Sequence, residues 1–197
     1  MNCLKVVYPQ VPALVHYPHP VLRLVAQPVT VFDDDLRRFC QGMFACMASS
    51  RGVGLAAPQV GVSKRIFVTD RLTRSKDQVP VDRQVWINPR LENTGGSSVY
   101  KEGCLSFPGI FADVTRYNGL DIVAQDEWGV ERRVAGLDVG LGDFLGVVVQ
   151  HELDHLNGRV FVDHLTPQQF ELVRARLGEM EADYKQATGE EGTVIRR

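Results

Sequence analysis

The chain has 197 residues, of which 44% are hydrophobic and 23% charged, and its formal net charge at pH 7 is -2. This length predicts a single domain over residues 1–197, with a flexible polar tail from about residue 188. The small net charge argues against sequence-specific nucleic-acid binding and against attachment to an anionic membrane, because both classes usually carry a large positive excess. The longest apolar runs are far too short to span a bilayer.

The four cysteines are Cys3, Cys40, Cys46 and Cys104. No basic segment followed by an apolar run opens the sequence, so no secretory leader is predicted, and we expect a cytoplasmic location with an organelle left open. Thiols stay reduced there, and a chain of this length can bury a core without disulfides. A cysteine with a special role is therefore expected to be a metal ligand or a nucleophile.

The first predicted element is a proline-rich, extended arm that reaches about Phe32. A helix follows it, with Asp33 or Asp34 as the N-cap. The apolar stripe of this helix consists of Leu36, Phe39, Cys40, Met43, Phe44 and Met47. Since Cys40 lies on the stripe and Cys46 beside it, packing explains both thiols.

The middle of the chain predicts short strands joined by polar turns. The strands are expected at 66–68, 85–87, 120–124 and 130–134. The connecting segments are a surface loop at 71–82, a turn cluster at 93–98 and a hairpin turn at 126–129. Strands and helices mix without a βαβ rhythm, so the predicted class is α+β, with mixed or antiparallel sheets packed around a central helix.

That central helix runs from Asp143, its expected N-cap, to the neighbourhood of Gly158. It contains the sequence His151-Glu152-Leu153-Asp154-His155. Histidines four residues apart project from the same helix face, where both imidazoles can reach one metal ion. The adjacent Glu152 is placed to take a proton from water at such a site. The pattern therefore predicts a metal-binding helix.

The last predicted helix begins at Thr166-Pro167-Gln168-Gln169. This sequence combines an N-cap, a proline at the first helical position and a glutamine three residues after the cap. The apolar stripe of the helix is Phe170, Val173, Leu177 and Tyr184.

Two imidazoles do not complete a catalytic metal site, which takes three protein ligands and leaves one position open. The metzincin pattern is matched through Gly158 and then fails, because Phe161 stands where a third histidine is required. A thermolysin-type site would use a downstream carboxylate, and Glu179 or Glu181 is available. Cys104, which follows a glycine outside any helical stripe, would instead complete a Cys-His-His set.

The glycine-rich segment at 52–61 does not predict a nucleotide site. No Gly-Lys-Ser/Thr follows its glycines, and Pro58 interrupts any helix that would supply an N-terminal dipole. Glycines also allow another backbone to approach closely, as when an extended peptide pairs with a chain edge.

Three segments resemble the signature motifs of the peptide deformylases, in the same order. They are Gly52-Val53-Gly54-Leu55-Ala56-Ala57-Pro58-Gln59, Glu102-Gly103-Cys104-Leu105-Ser106 and Gln150-His151-Glu152-Leu153-Asp154-His155. The likeness extends to 17–23, 88–89 and the C-terminal helix. It implies an α+β hydrolase that removes the N-formyl group from N-formylmethionyl nascent peptides, releases formate and associates transiently with the ribosome.

The resemblance also implies roles for particular residues. The metal ligands carry over to Cys104, His151 and His155. They would bind one divalent ion, most commonly Fe²⁺, with Zn²⁺, Ni²⁺ or Co²⁺ able to replace it. Glu152 would act as general base and then as general acid. The Gln59 side-chain amide and the Leu105 backbone N–H would hold the developing oxyanion.

Substrate contacts are expected on the metal-binding helix and on the glycine-rich segments. The helix face of His151 continues toward the N-terminus through Phe144, Val147 and Val148, an apolar wall suited to a methionine side chain. By resemblance, Val53, Gly54 and Gly103 would pair with the peptide backbone. Glu102 and Arg116 match family positions that could form an ion pair bracing the Cys104 loop.

Two other classes of protein stay open at this point. One is a peptidase that takes one of the two downstream glutamates as its third ligand. The other is a non-catalytic module with a structural metal, in which Cys46 or Cys3 closes the coordination shell. The presence of Glu152 and Gln59 argues against the second, since a structural site needs neither.

Overall fold

The computed structural model describes residue 8 and residues 13–70 and 82–195. Cys3 and the surface loop predicted at 71–82, apart from Asp82, lie outside these residues, as does most of the predicted arm before residue 13. The described residues form three α-helices and seven β-strands. They are α1 (Asp34–Ser49), β1 (Gly54–Ala56), β2 (Ile66–Asp70), β3 (Arg83–Gly95), β4 (Ser98–Gly103), β5 (Phe111–Arg116), β6 (Gly119–Gln125), β7 (Glu131–Asp138), α2 (Phe144–Leu156) and α3 (Pro167–Thr188).

Helix α1 confirms the prediction for its segment. Asp33 caps it by accepting the Leu36 N–H at 3.0 Å. All six residues of the predicted stripe are buried, and Cys40 is 1% exposed among them. Two bonds end the helix, from the Gly52 N–H to the Met47 carbonyl at 2.9 Å and from the Arg51 N–H to the Ala48 carbonyl at 3.1 Å. This Schellman arrangement turns the chain directly into β1.

The strands form two sheets whose ladders are all antiparallel. The larger sheet has the order β1-β2-β3-β6-β7, and β4 pairs with β5 in a separate hairpin. The strands predicted at 66–68, 85–87 and 120–124 are confirmed within β2, β3 and β6, and the one predicted at 130–134 begins one residue later, as β7 starts at Glu131. The turn predicted at 93–98 is too long: β3 continues to Gly95 through an irregular register, so only Gly96 and Ser97 separate it from β4. Strands β1 and β4 both lie at sheet edges.

Helix α2 lies between the two sheets. On one side its residues Val147 and Val149 pack with Phe67 and Trp86 of the larger sheet. On the other side it contacts β4 through the hydrogen bond between His151 and Glu102. Asp143 is its N-cap residue, although its side chain makes no capping bond. This position explains why residues of α2 face both sheets.

Helix α3 begins with the predicted capping box. Thr166 Oγ1 accepts the Gln169 N–H at 3.2 Å, and Gln169 Oε1 accepts the Thr166 N–H at 2.9 Å. The buried stripe is Phe170, Val173, Leu177 and Met180. Tyr184, which was predicted to belong to it, is half-buried instead, because its ring meets the edge of the His19 ring at the protein surface.

The described part of the predicted tail packs on the N-terminal segment. The Thr193 N–H donates to the Pro18 carbonyl at 2.8 Å, and the Ile195 N–H donates to the Tyr17 hydroxyl at 2.9 Å. The side chain of Ile195 is buried in the same cluster as Phe170 and Leu177. Among the described residues, none of the helices has the length and apolar character to cross a membrane.

Candidate active site

Three side chains that could hold a metal ion converge where α2 meets the loop after β4. Cys104, His151 and His155 bring one donor atom each to within 4.8 Å of one another. Cys104 Sγ lies 3.3 Å from His155 Nε2. The histidines come from successive turns of α2 and are buried, and the cysteine directly follows Gly103 at the end of β4. The structure thus brings together the three residues for which the sequence predicts metal binding.

The chemistry of these donors fits a divalent transition metal. One thiol and two imidazoles are the ligand types that Zn²⁺ and the neighbouring divalent ions accept. His151 Nδ1 lies 2.8 Å from Glu102 Oε2, and this contact leaves His151 Nε2 as the nitrogen for the ion. Burial lowers the pKa of His155 well below its usual range, whereas hydrogen bonds with Cys104 and Glu102 outweigh burial and raise the pKa of His151.

A chain of charged groups braces His151 from behind. Arg116 donates to both carboxylate oxygens of Glu102, at 2.6 and 2.8 Å, and its third nitrogen donates to Asp154 Oδ2 at 2.6 Å. His164 Nε2 contacts the same Asp154 oxygen at 2.7 Å. The side chains of Arg116 and Glu102 are only 4% and 3% exposed, so the expected ion pair is present and buried.

These partners determine the charge of both carboxylates. Burial raises the pKa of Glu102, but hydrogen bonds from Arg116 and His151 outweigh that effect and hold the pKa at about 2. For Asp154, burial is likewise outweighed by the hydrogen bonds of His164 and Arg116, and the pKa is again about 2. Both groups are therefore ionised at neutral pH.

Glu152 has a different environment, although it follows His151 directly. It is 4% exposed, and its Oε2 atom is buried with no hydrogen-bond partner among the described residues. Burial raises its pKa to about 7. A carboxyl group that titrates near neutral pH is suited both to accepting a proton and to returning it.

Gly54 makes room for Glu152. A Cβ atom on Gly54 would lie 2.5 Å from Glu152 Oε1 and 2.7 Å from Val148 Cγ1, closer than such atoms approach. The absence of a side chain at this position of β1 is what allows the carboxyl group to lie against the strand.

The Gln59 amide is held in one orientation beside the donors. Its Oε1 accepts the Ala56 N–H at 2.7 Å, which directs Nε2 toward Cys104 Sγ at 3.5 Å and Ser106 Oγ at 3.4 Å. The residue is 1% exposed. Leu105 follows Cys104 in a tight turn that is closed by the bond from the Phe107 N–H to the Cys104 carbonyl at 2.9 Å.

A cavity of about 420 Å³ opens above these groups. All six residues predicted to contact substrate line it, namely Val53, Gly54, Gly103, Phe144, Val147 and Val148. Gln59, Leu105 and Glu152 line it as well. Val147 and Val148 are buried, whereas Phe144 is 44% exposed at the mouth, with its ring centroid 5.6 Å from that of Tyr100.

Several residues of the site were not predicted from the sequence. Arg51, Tyr100, Lys101 and Phe111 line the cavity mouth. Tyr100 could have been predicted, because it lies two residues before Glu102 and its side chain is therefore on the same side of the strand. The roles of Asp154 and His164 in the charged chain had no such signal, because both depend on contacts with Arg116 or with each other across the fold.

The carboxylates of the alternative metal site lie elsewhere. Glu179 pairs with Arg176 at 2.8 Å, and Glu181 accepts the Tyr17 hydroxyl at 2.5 Å. Neither belongs to the donor cluster, and neither does Cys46, which lies on α1 and packs against the core.

Comparison with known proteins identifies the family. The family model described as polypeptide deformylase matches residues 11–171. The chain belongs to the peptide deformylase family. The activity of this family is the hydrolytic removal of the N-formyl group from nascent peptides.

Individual deformylases agree with this assignment. The chain is 40% identical to the peptide deformylase of Chromobacterium violaceum over 170 residues, which are 85% of this chain and 95% of that protein. It is 38% identical to the chloroplastic peptide deformylase 1B of Oryza sativa subsp. japonica over 177 residues, 89% of this chain and 63% of the relative. The crystal structure of a plant peptide deformylase superposes with a TM-score of 0.84 at 31% identity, covering 98% of this chain and 100% of that one.

Proposed function

We propose that the cavity between β1, β4 and α2 is the site at which N-formylmethionyl peptides are deformylated, with one divalent ion held by Cys104, His151 and His155. The observation that carries this proposal is the convergence at one cavity of the three donors and Glu152, whose buried Oε2 atom has no hydrogen-bond partner among the described residues. Membership of the deformylase family supports it.

Fe²⁺ is the ion that we propose for this site, and Zn²⁺, Ni²⁺ or Co²⁺ would accept the same ligands. One sulfur and two nitrogen donors suit all four ions, so availability in the cell decides among them. When bound, the ion supplies Lewis acidity, which lowers the pKa of water and polarises a carbonyl oxygen.

Glu152 moves the proton in this reaction. Its Oε2 atom takes a proton from the attacking water as the water oxygen bonds to the formyl carbon. The bond between the formyl carbon and the methionine nitrogen then breaks, and Glu152 returns the proton to that nitrogen. Formate and a peptide with a free amino group are the products.

Two donors hold the negative charge that develops on the formyl oxygen. The Gln59 Nε2 group is one, because its orientation is fixed by the bond between its carbonyl and Ala56. The Leu105 backbone N–H, in the turn beside Cys104, is the other. A preorganised donor of this kind contributes roughly 3 kcal/mol of transition-state stabilisation.

The methionine side chain would occupy the apolar wall of the cavity formed by Phe144, Val147 and Val148. The peptide backbone would enter between the edge strands β1 and β4, where Val53, Gly54 and Gly103 present main-chain groups. An extended peptide that pairs with a sheet edge gains main-chain hydrogen bonds without demanding particular side chains. This geometry suits an enzyme whose substrates share only their first residue.

We further propose that residues 1–197 act as one catalytic domain in the cytoplasm, with transient contact to the ribosome. The Chromobacterium violaceum relative favours a bacterial-type location, whereas the rice relative is named as chloroplastic, so an organelle is the alternative.

The proposal is tested by formate release from formyl-Met-Ala-Ser under anaerobic conditions with Fe²⁺. We expect the parent protein to release formate and to bind one metal ion per chain. Cys104→Ser should bind the ion far more weakly and release little formate. Full metal content in this variant would point to a different third ligand, and an intact formyl peptide with the loaded parent protein would overturn the function.

A further inference from the structure

The mouth of the cavity carries two exposed cations. Arg51 and Lys101 both line the cavity, one at the end of α1 and the other on β4. Both side chains are exposed. The other charged lining residues, Glu102, His151 and Glu152, are buried. Among the described residues, the charge that the mouth presents to solvent is therefore positive, although the whole chain has a net charge of -2.

Neither cation forms an ion pair within the described part of the chain. The side chain of Arg51 makes no ion pair or hydrogen bond there. Lys101 lies opposite Asp113 in the β4–β5 ladder but forms no ion pair with it, and Asp113 does not line the cavity. Within the described residues neither cation therefore has an ion-pair partner, although Asp113 lies beside Lys101 across the ladder.

The backbone holds Arg51 at the mouth in a conformation that favours glycine. Its φ angle is 57°, and it occupies the position after the helix C-cap where glycine is usual. The next residues, Gly52 and Val53, continue along the cavity to β1. The Schellman bonds at the end of α1 fix the backbone of Arg51, so its side chain is attached at a defined position next to β1.

This geometry points to a substrate preference, and the inference depends on the proposed function. If the formyl group lies at Glu152 and the methionine side chain against Val147 and Val148, the next residues leave between the two edge strands. They then pass Arg51 on one side and Lys101 on the other. We infer that the enzyme prefers N-formylmethionyl peptides with acidic side chains at the positions directly after methionine.

The size of the effect follows from the exposure of both cations. Exposed ion pairs are individually weak, so we expect about a tenfold difference in kcat/KM between acidic and basic peptides. A positive mouth also speeds the approach of an acidic peptide and slows that of a basic one. Both contributions decrease with salt, since the Debye length falls from about 30 Å at 0.01 M to about 3 Å at 1 M.

The test compares three amidated peptides on the metal-loaded full chain. They are formyl-Met-Asp-Asp-Ala-amide, formyl-Met-Asn-Asn-Ala-amide and formyl-Met-Lys-Lys-Ala-amide. The C-terminal amide removes a carboxylate that would otherwise add its own charge. We expect kcat/KM to fall in that order, with an Asp-to-Lys ratio of about ten at low salt that approaches one at 1 M salt.

Variants assign the preference to the two cations. Arg51→Asn removes the charge and keeps a residue that tolerates a left-handed backbone, and Lys101→Gln removes the second charge. The double variant should bring the Asp-to-Lys ratio close to one. Arg159→Gln, an exposed cation that does not line the cavity, should leave the ratio unchanged. Because each ratio is measured on one preparation, it does not depend on the fraction of folded enzyme.

The outcomes separate this inference from the function on which it rests. Equal rates for all three peptides, a preference for the lysine peptide, or an unchanged ratio in the double variant would overturn the inference alone. Failure to release formate from any peptide, including the asparagine peptide, would overturn the proposed function and the inference with it.

Discussion

Glu102 and Glu152 both lie next to His151 of α2, but their surroundings differ completely. Glu102 reaches His151 from β4, and Glu152 follows His151 on α2; each is 4% exposed. Glu102 has two hydrogen bonds from Arg116 and one contact to His151. Glu152 has a buried oxygen without a partner and no ion pair among the described residues.

The difference shows that partners, and not depth, decide what a buried carboxyl group does. Equal exposure accompanies a pKa of about 2 for Glu102 and of about 7 for Glu152. The paired group is charged at neutral pH and would orient the imidazole of His151 toward the proposed ion. The pKa of the other group lies near neutral pH, which suits the proton transfer proposed for it.

The largest loss of folding stability is expected when Arg116, the partner of Glu102 and Asp154, is replaced. Arg116→Met leaves Glu102 and Asp154 buried without a guanidinium partner, and breaking a buried pair in this way costs about 3–5 kcal/mol. We expect the free energy of unfolding, measured with urea at pH 7, to fall by that amount. Metal affinity should fall by about 10- to 100-fold, because Glu102 then holds His151 less firmly.

Arg133→Met is the matched control for this variant. Arg133 pairs with Glu92 and Asp121, but its side chain is 48% exposed. Exposed pairs are worth about 0–1 kcal/mol, so the loss of stability should be small. Equal losses in the two variants would show that burial of the Arg116 pair has no special role.

The dependence of stability on pH should have opposite signs for the two glutamates. The folded-state pKa of Glu102 is about 2, below its ordinary 4.5, so its contribution to stability is present above pH 4.5 and is lost as the pH falls toward 2. The folded-state pKa of Glu152 is about 7, so its contribution is present below pH 4.5 and is lost as the pH rises toward 7. Each contribution amounts to about 3 kcal/mol.

Urea unfolding of the metal-free protein between pH 3 and pH 8 measures both contributions. Glu102→Gln should flatten the acid side of the stability profile. Glu152→Gln should make the decline between pH 4.5 and pH 7 shallower, and what remains near neutral pH is expected from His151, whose pKa is raised. If the two variants had the same profile, the contrast between the glutamates would be wrong.

The smallest loss of stability is expected for His164, the last of the linked charged side chains behind His151. His164→Leu removes the contact with Asp154 but leaves the bond from Arg116 to the same carboxylate. Since both side chains are partly exposed, we expect a loss of about 1 kcal/mol in urea unfolding at pH 7. A loss as large as that of Arg116→Met would mean that the contact of Asp154 with His164 stabilises the protein as much as the pairs of Arg116 do.

The sequence predicted the features that depend on local spacing. The α1 stripe and the Thr166 capping box follow from helical periodicity, and the two histidines of α2 follow from a four-residue interval. Cys104 was one candidate for the third ligand because it follows a glycine outside any helical stripe, and the resemblance of its motif to a known family favoured it over the downstream glutamates. Tyr184 was assigned to the α3 stripe, but Met180 is buried in its place. The ring of Tyr184 lies against His19 at the surface instead.

The remaining features depend on contacts between distant segments. Asp154 lies 38 residues from Arg116, and Arg51 and Lys101 come from different elements, so no local pattern relates them. The contrast between Glu102 and Glu152 is of the same kind. Both are acidic residues within signature motifs, and their different pKa values depend on the contacts that the folded chain gives Glu102 with Arg116 and His151.

The most direct test of this contrast measures metal content and turnover together in Glu102→Gln and Glu152→Gln. We expect Glu152→Gln to bind the ion as tightly as the parent and to lose turnover of formyl-Met-Ala-Ser by a factor on the order of 10³. Glu102→Gln should bind the ion about 10- to 100-fold more weakly, yet keep most of its turnover when saturated with metal. Full turnover in metal-loaded Glu152→Gln would contradict the account.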